Sequence, residues 1–108
     1  MGYGLIVRFE LHDAAAATAF DALVDKTLKG IKENEPGTLV YVSHRVPGEP
    51  DVRVFYELYA DREAFEEHER QPHVREFLEA RQQYVARFDV TFLEAVGGKL
   101  SGEAEGTA

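Results

Sequence analysis

The sequence predicts an α+β fold, a split βαβ arrangement in which one antiparallel four-stranded sheet carries helices on one face. Three observations predict it. Period-two and helical-period apolar patterns alternate as strand–helix–strand, twice over. A turn-forming run, Pro47-Gly48-Glu49-Pro50-Asp51, joins the halves as a hairpin. The halves also echo each other: FELHDAAAATAF at 9–20 and YELYADREAF at 56–65 both run from aromatic-Glu-Leu into an aspartate-capped helix.

In chain order, residues 3–11 read as the first strand, with Leu5, Val7, Phe9 and Leu11 on one face and Ile6, Arg8 and Glu10 on the other. Asp13 suits a helix N-cap. Phe20, Leu23, Val24, Leu28 and Ile31 then form one apolar stripe, which Asn34-Glu35-Pro36-Gly37 ends. The second strand, 38–46, is rich in β-branched residues, and the third is expected over 52–60. On that third strand Val54, Tyr56 and Leu58 face one way, and Arg53, Phe55, Glu57 and Tyr59 the other. Asp61 caps a helix whose inward face holds Ala64, Phe65 and His68. Pro72 opens another helix, with Gln71 as its cap and Val74, Phe77, Leu78 and Arg81 as its stripe. The fourth strand lies within 84–94, with Phe88, Val90 and Phe92 on one face. The folded domain is set at 1–96, and the small polar residues of 97–108 are expected to form a disordered tail.

A chain of 108 residues makes one domain. Its sheet has apolar residues on both faces but helices for only one, so a second copy is the expected cover and the expected state is a homodimer. The net charge is −8 with no basic stripe, which argues against nucleic acid and against anionic membranes as partners. No apolar run is long enough to span a bilayer and no secretory leader is evident, so the expected location is cytoplasmic. The absence of cysteine excludes disulfides, thiolate metal sites and a cysteine nucleophile. Glu66, Glu67, His68 and Glu69 point around a helix axis and cannot converge on one ion. No phosphate loop, dinucleotide fingerprint or Ser-His-Asp arrangement is recognisable.

Several segments together resemble the antibiotic biosynthesis monooxygenase family. They are Glu35-Pro36-Gly37-Thr38-Leu39, Phe55-Tyr56-Glu57-Leu58-Tyr59, Ala64-Phe65 followed by His68, and Pro72-His73. The resemblance spans residues 3–94. It implies a ferredoxin-like monomer, a homodimeric α+β barrel, and a small-molecule pocket between sheet and helices. Members include cofactor-independent oxygenases of phenolic and quinol-type substrates, and others process a phosphorylated signalling sugar. A haem-degrading branch places an asparagine, a tryptophan and a haem-ligating histidine where this chain has Val7, His68 and Leu78, so haem is not expected.

Oxygenation without flavin or metal has a physical logic. A phenol must lose its proton before the electron-rich phenolate can reduce O2. The site therefore needs a base, donors for the anion and a dry pocket. His68 suits the base, with Glu57 and Tyr59 as its catalytic partners. Tyr41, Phe9, Phe55, Phe65, His73 and Phe77 are expected to bind a small aromatic or quinone-like substrate beside O2. No cofactor and no metal is expected. The same residues have plain structural readings. His68 can be a satisfied core histidine, His73 can cap or pack its helix, Glu57 can pair with Arg53 or Arg45 on a solvated edge, and the aromatics can be core. Two other functions use the same groups: proton-transfer isomerisation or breakdown of a small carbonyl compound, and ligand binding without catalysis. A phosphorylated substrate would need a cationic anchor, for which Arg8, Arg45 and Arg53 are the candidates.

Overall fold

The computed structural model describes residues 2–100. Its elements are β1 (Tyr3–Leu11), α1 (Ala14–Asn34), β2 (Thr38–Val46), β3 (Glu49–Tyr59), α2 (Arg62–Arg70), α3 (Pro72–Ala80), a 3-10 turn (Arg81–Gln83) and β4 (Val85–Glu94). The strands form one antiparallel sheet in the order β2-β3-β1-β4, which is the ferredoxin-like order. Each half is a strand–helix–strand unit, and the two central strands are the first of each half.

Caps set the helix starts. The Asp13 and Asp61 carboxylates accept from the backbone N–H groups of Ala16 and Ala64, each at 2.8 Å. Pro72 occupies the first turn of α3, where its missing N–H would have no partner anyway. All helices pack on the face bearing Leu5, Val7 and Phe9 of β1 and Phe55, Glu57 and Tyr59 of β3. Phe9, Phe20, Phe55 and Tyr59 are the largest fully buried side chains. Phe9, Phe20 and Phe55 meet one another in tilted or edge-on contact, and Phe77 from α3 joins Phe20 and Phe55.

Three features depart from the sequence expectation. The third strand begins at Glu49, three residues early, after a tight turn in which Gly48 has φ +85°. The β2–β3 ladder passes from Arg45↔Arg53 to Val46↔Glu49, so Pro50 faces no β2 partner and its missing N–H costs nothing. A 3-10 turn also follows α3. Residues 95–100 form no regular element. Most of the expected tail, 101–108, lies outside the described residues. No helix among the described residues is long and apolar enough to cross a membrane.

Candidate active site

The site begins with a turn residue that sequence reasoning left without a role. Glu35 is the C-cap of α1, immediately before the Pro36-Gly37 turn, and its side chain is only 2% exposed. Three donors surround it. Thr38 Oγ1–H and His68 Nδ1–H donate to Oε1 at 2.7 and 2.6 Å, and His73 Nε2–H donates to Oε2 at 2.5 Å. Burial alone would raise this carboxyl's pKa. The hydrogen bonds from His68, Thr38 and His73 outweigh burial and hold it below the ordinary carboxylate value. A carboxylate only accepts, so both imidazoles present N–H groups to it.

Local sequence makes this meeting possible. Gly30, about one turn before the end of α1, has no Cβ; one placed there would lie 2.4 Å from Cγ of His73. The glycine thus lets α3 approach closely enough for His73 to reach Glu35. Gly37 does the same for α2, where an added Cβ would sit 2.7 Å from Cβ of Ala64. His68 follows Ala64 by one helical turn and so reaches Glu35 from the other side. The two imidazoles take opposite oxygens of one carboxylate rather than converging on a point, and among the described residues no cluster is placed to hold a metal ion.

His68 is 5% exposed and packs in tilted contact, 5.1–5.5 Å from the Tyr59 and Tyr41 ring centres. With Nδ1 committed to Glu35, the hydrogen bonds among the described residues leave Nε2 unused. No buried side-chain nitrogen or oxygen among them lacks a partner, so Nε2 must touch open space. The space that His68 borders is a cavity of about 210 Å³ between the sheet and helices α2 and α3. Leu5, Val7, Phe88, Val90 and Phe92 form its sheet wall, and Phe65, Val74, Phe77 and Leu78 form its helix wall. Tyr41, Glu57, His68, Glu69 and Arg81 are its polar groups. It opens along β4, where Phe88 and Phe92 are about half exposed at 47% and 57%.

Glu57 is 6% exposed and accepts a short hydrogen bond, 2.5 Å, from the Tyr59 hydroxyl. Burial raises its pKa despite that bond and despite the nearby His68 and Arg81. Burial and the Glu57 charge both push the Tyr59 hydroxyl well up. Burial, then the Glu57 charge, does the same to Tyr41, so both phenols stay protonated, and the Tyr59 hydroxyl donates to Glu57. A solvated pairing of Glu57 is excluded, because Arg53 is buried and holds Asp21 through two hydrogen bonds of 2.9 Å, while Arg45 reaches the same Asp21 at 3.8 Å.

Of the residues expected to form a site, His68, Glu57, Tyr41, Phe65 and Phe77 border the cavity. Tyr59 touches it only through Glu57 and His68. Phe9 and Phe55 do not border it: Phe20 and Phe88 pack on Phe9, Phe20 and Phe77 pack on Phe55, and both rings lie in the core. His73 does not border it either, being turned away to Glu35. The expected partner of His68 was a group from the sheet; the actual one, Glu35, comes from the turn before β2. Its signal was the acidic residue in Glu35-Pro36-Gly37-Thr38, a carboxylate placed to meet a threonine three residues on. The three arginines considered as phosphate anchors lie outside the cavity. Arg8 pairs with Glu10 and Glu49, and Arg45 and Arg53 pair with Asp21.

A model of the family described as antibiotic biosynthesis monooxygenase matches residues 2–80. Among solved structures, a candidate antibiotic biosynthesis monooxygenase of Caulobacter crescentus is 27% identical with a TM-score of 0.83, over 89% of this chain and 91% of that one. A protein of Mycobacterium tuberculosis, 24% identical, has a TM-score of 0.81 over 91% and 98% of the two chains. A candidate antibiotic biosynthesis monooxygenase of Bacteroides thetaiotaomicron, 20% identical, has a TM-score of 0.82 over 92% and 93%. The last two show the fold alone. No curated protein matches. The chain belongs to the antibiotic biosynthesis monooxygenase family.

Proposed function

We propose that this member of the family is a cofactor-independent monooxygenase of a small, single-ring phenol or hydroquinone. The observation that carries the reading is His68: Nδ1–H anchored on a buried carboxylate, with the ring bordering a cavity walled mostly by apolar side chains and Nε2 free of any hydrogen bond among the described residues. An anchored tautomer of this kind is a base in waiting. Size supports the single ring. A cavity of roughly 150 Å³ accepts benzene, so about 210 Å³ suits one ring with a few substituents rather than a fused system.

In the proposed reaction, Nε2 of His68 takes the ring hydroxyl's proton, and the Tyr41 hydroxyl steadies the phenolate oxygen. The phenolate gives one electron to O2, and the resulting radical pair recombines to a peroxide on a ring carbon. The His68 imidazolium protonates the peroxide. The imidazole then takes that carbon's own hydrogen as the O–O bond breaks. Hydroxide leaves with that proton as water, and the carbon becomes a carbonyl. One phenol and one O2 give one quinone and one water, so the substrate supplies every electron. Glu57 and Tyr59 back the His68 ring and keep it oriented.

Oxygen uptake with single-ring hydroquinones, on protein free of added flavin and metal, tests this. The expected result is saturable uptake above the uncatalysed rate. Turnover persisting without oxygen would place the chemistry in proton transfer alone and overturn the reading.

The proposal includes a homodimer. The sheet face away from the helices carries Ile6, Val40, Val42, Val54, Tyr56 and Leu93 with no helix over it, and Ile6 and Val42 are 39% and 44% exposed. A second sheet is the matching cover. Sedimentation at micromolar concentration is expected to give twice the chain mass; a monomer there would contradict it.

A further inference from the structure

The proposed reaction leaves two polar groups of the cavity unused, Glu69 and Arg81, and Arg81 is the cation of the pair. It sits where α3 passes into the 3-10 turn, half-buried, with its guanidinium carbon 4.8, 5.2 and 5.5 Å from the centroids of Phe88, Phe9 and Phe77. Among the described residues it makes no hydrogen bond and no ion pair, although the other arginines that line pockets or cross the sheet do. Stacking occupies the faces of a guanidinium and leaves its N–H edge free. A partly desolvated cation with free donors, beside a cavity, has the Glu57 charge in range but no anion bonded to it among the described residues.

The sheet register gives the cavity a direction. Glu57 and Phe92 flank Leu5, whereas Phe88 lies beside Phe9. Four residues of strand, about 13 Å of backbone at roughly 3.3 Å per residue, separate the Glu57 level from the level where Arg81 stacks. Val7 and Val90 lie between them. The cavity therefore runs from the Glu57 and His68 level to the Arg81 level, and the Glu57 and Arg81 charges still act on each other across it.

We propose that Arg81 binds a carboxylate of the substrate, so that the natural substrate class is a hydroxylated aromatic acid with its acid group at the Arg81 end. This rests on the reading of His68 as the base at the opposite end. The acid must lie at Arg81, because at the other end it would meet the buried Glu57. One planar guanidinium edge matches one carboxylate bidentately. A phosphate dianion would want more donors than a single arginine supplies, and Glu57 and Glu69 at the cavity would oppose its second charge.

The test is binding, measured without turnover. Benzoate, 4-hydroxybenzoate, benzamide and phenyl phosphate are titrated anaerobically into the full-length protein and followed by NMR. The expected result is a preference for the acids over the amide of about tenfold or more, lost in Arg81→Gln and partly kept in Arg81→Lys. Equal affinity for acid and amide in the unaltered protein overturns the proposal, and that comparison needs no variant to fold. An acid preference that survives Arg81→Gln, or tighter binding of phenyl phosphate than of benzoate, overturns it too. If neutral hydroquinones are oxygenated while acids gain nothing, this inference fails and the proposed reaction stands. If acids bind through Arg81 and no oxygen is consumed, the reverse holds.

Discussion

Replacing Glu35 separates the two jobs of its carboxylate, holding the fold and aiming the base. In Glu35→Ala the hydrogens of Thr38, His68 and His73 lose their shared acceptor inside the protein. Breaking a buried charged network costs about 3–5 kcal/mol, and at about 4 °C per kcal/mol or more the melting temperature should fall by about 12 °C or more. Glu35→Gln keeps the volume and one carbonyl oxygen. Thr38 and His68 can still donate to it, while His73 must switch tautomer to accept from the new amide, so the cost should be about 1–2 kcal/mol. The acidic limb of the melting profile adds a sign. A carboxyl with a depressed folded-state pKa stabilises fully above the ordinary value of 4.5, and that contribution fades as pH falls through the depressed value. The gap between wild type and Glu35→Gln should therefore narrow only below pH 4.5. The Gln variant should also slow turnover by about 10–100-fold. A Gln variant with unchanged turnover and unchanged stability would refute this account of Glu35.

Other substitutions probe neighbouring parts. His68→Ala should cut turnover by about 10²–10⁴-fold and cost about 2–3 kcal/mol, since Glu35 loses a donor; His68→Asn should restore much of the stability in denaturant melts but none of the activity. Gly30→Ala should destabilise, against the usual gain of about 1 kcal/mol for this change in a helix, because the new methyl meets His73; a raised melting temperature would show that α3 yields freely. Glu57→Gln should melt higher than wild type at pH 7. The raised Glu57 pKa means that folded-state stability declines as pH rises from 4.5 through that value, and Gln is spared this. The advantage should shrink toward pH 4.5, and an advantage independent of pH would contradict the assigned cause.

The sequence carried the fold because the elements announce themselves locally. Asp13 and Asp61 mark helix starts, Pro72 marks another, and strict alternation in β1 fixes which face meets the helices. The early start of β3 was hidden by Pro50 and Asp51, which argue against a strand until a ladder break gives them unpaired positions. The site was half legible. Spacing from Ala64 and Phe65 placed His68 inward, but its partner depended on Glu35, 33 positions away and in a turn. No helical or strand period points at such a contact. Phe9 and Phe55 show the opposite failure. Alternation put them on the correct face, yet whether that face meets a cavity or a packed helix is decided by Phe20 and Phe77 from other elements. Arg81 read as the end of an apolar stripe, and only the three rings around it make it a candidate for binding.

The most direct test of the central claim is isotopic. Wild type and His68→Asn are given a single-ring hydroquinone under 18O2, with protein stripped of flavin and metal, and the product is weighed by mass spectrometry. The account predicts one 18O atom per product molecule in wild type, the other appearing in water, and loss of labelled product in His68→Asn. Unlabelled product from wild type, or labelled product formed at an undiminished rate by His68→Asn, would contradict it.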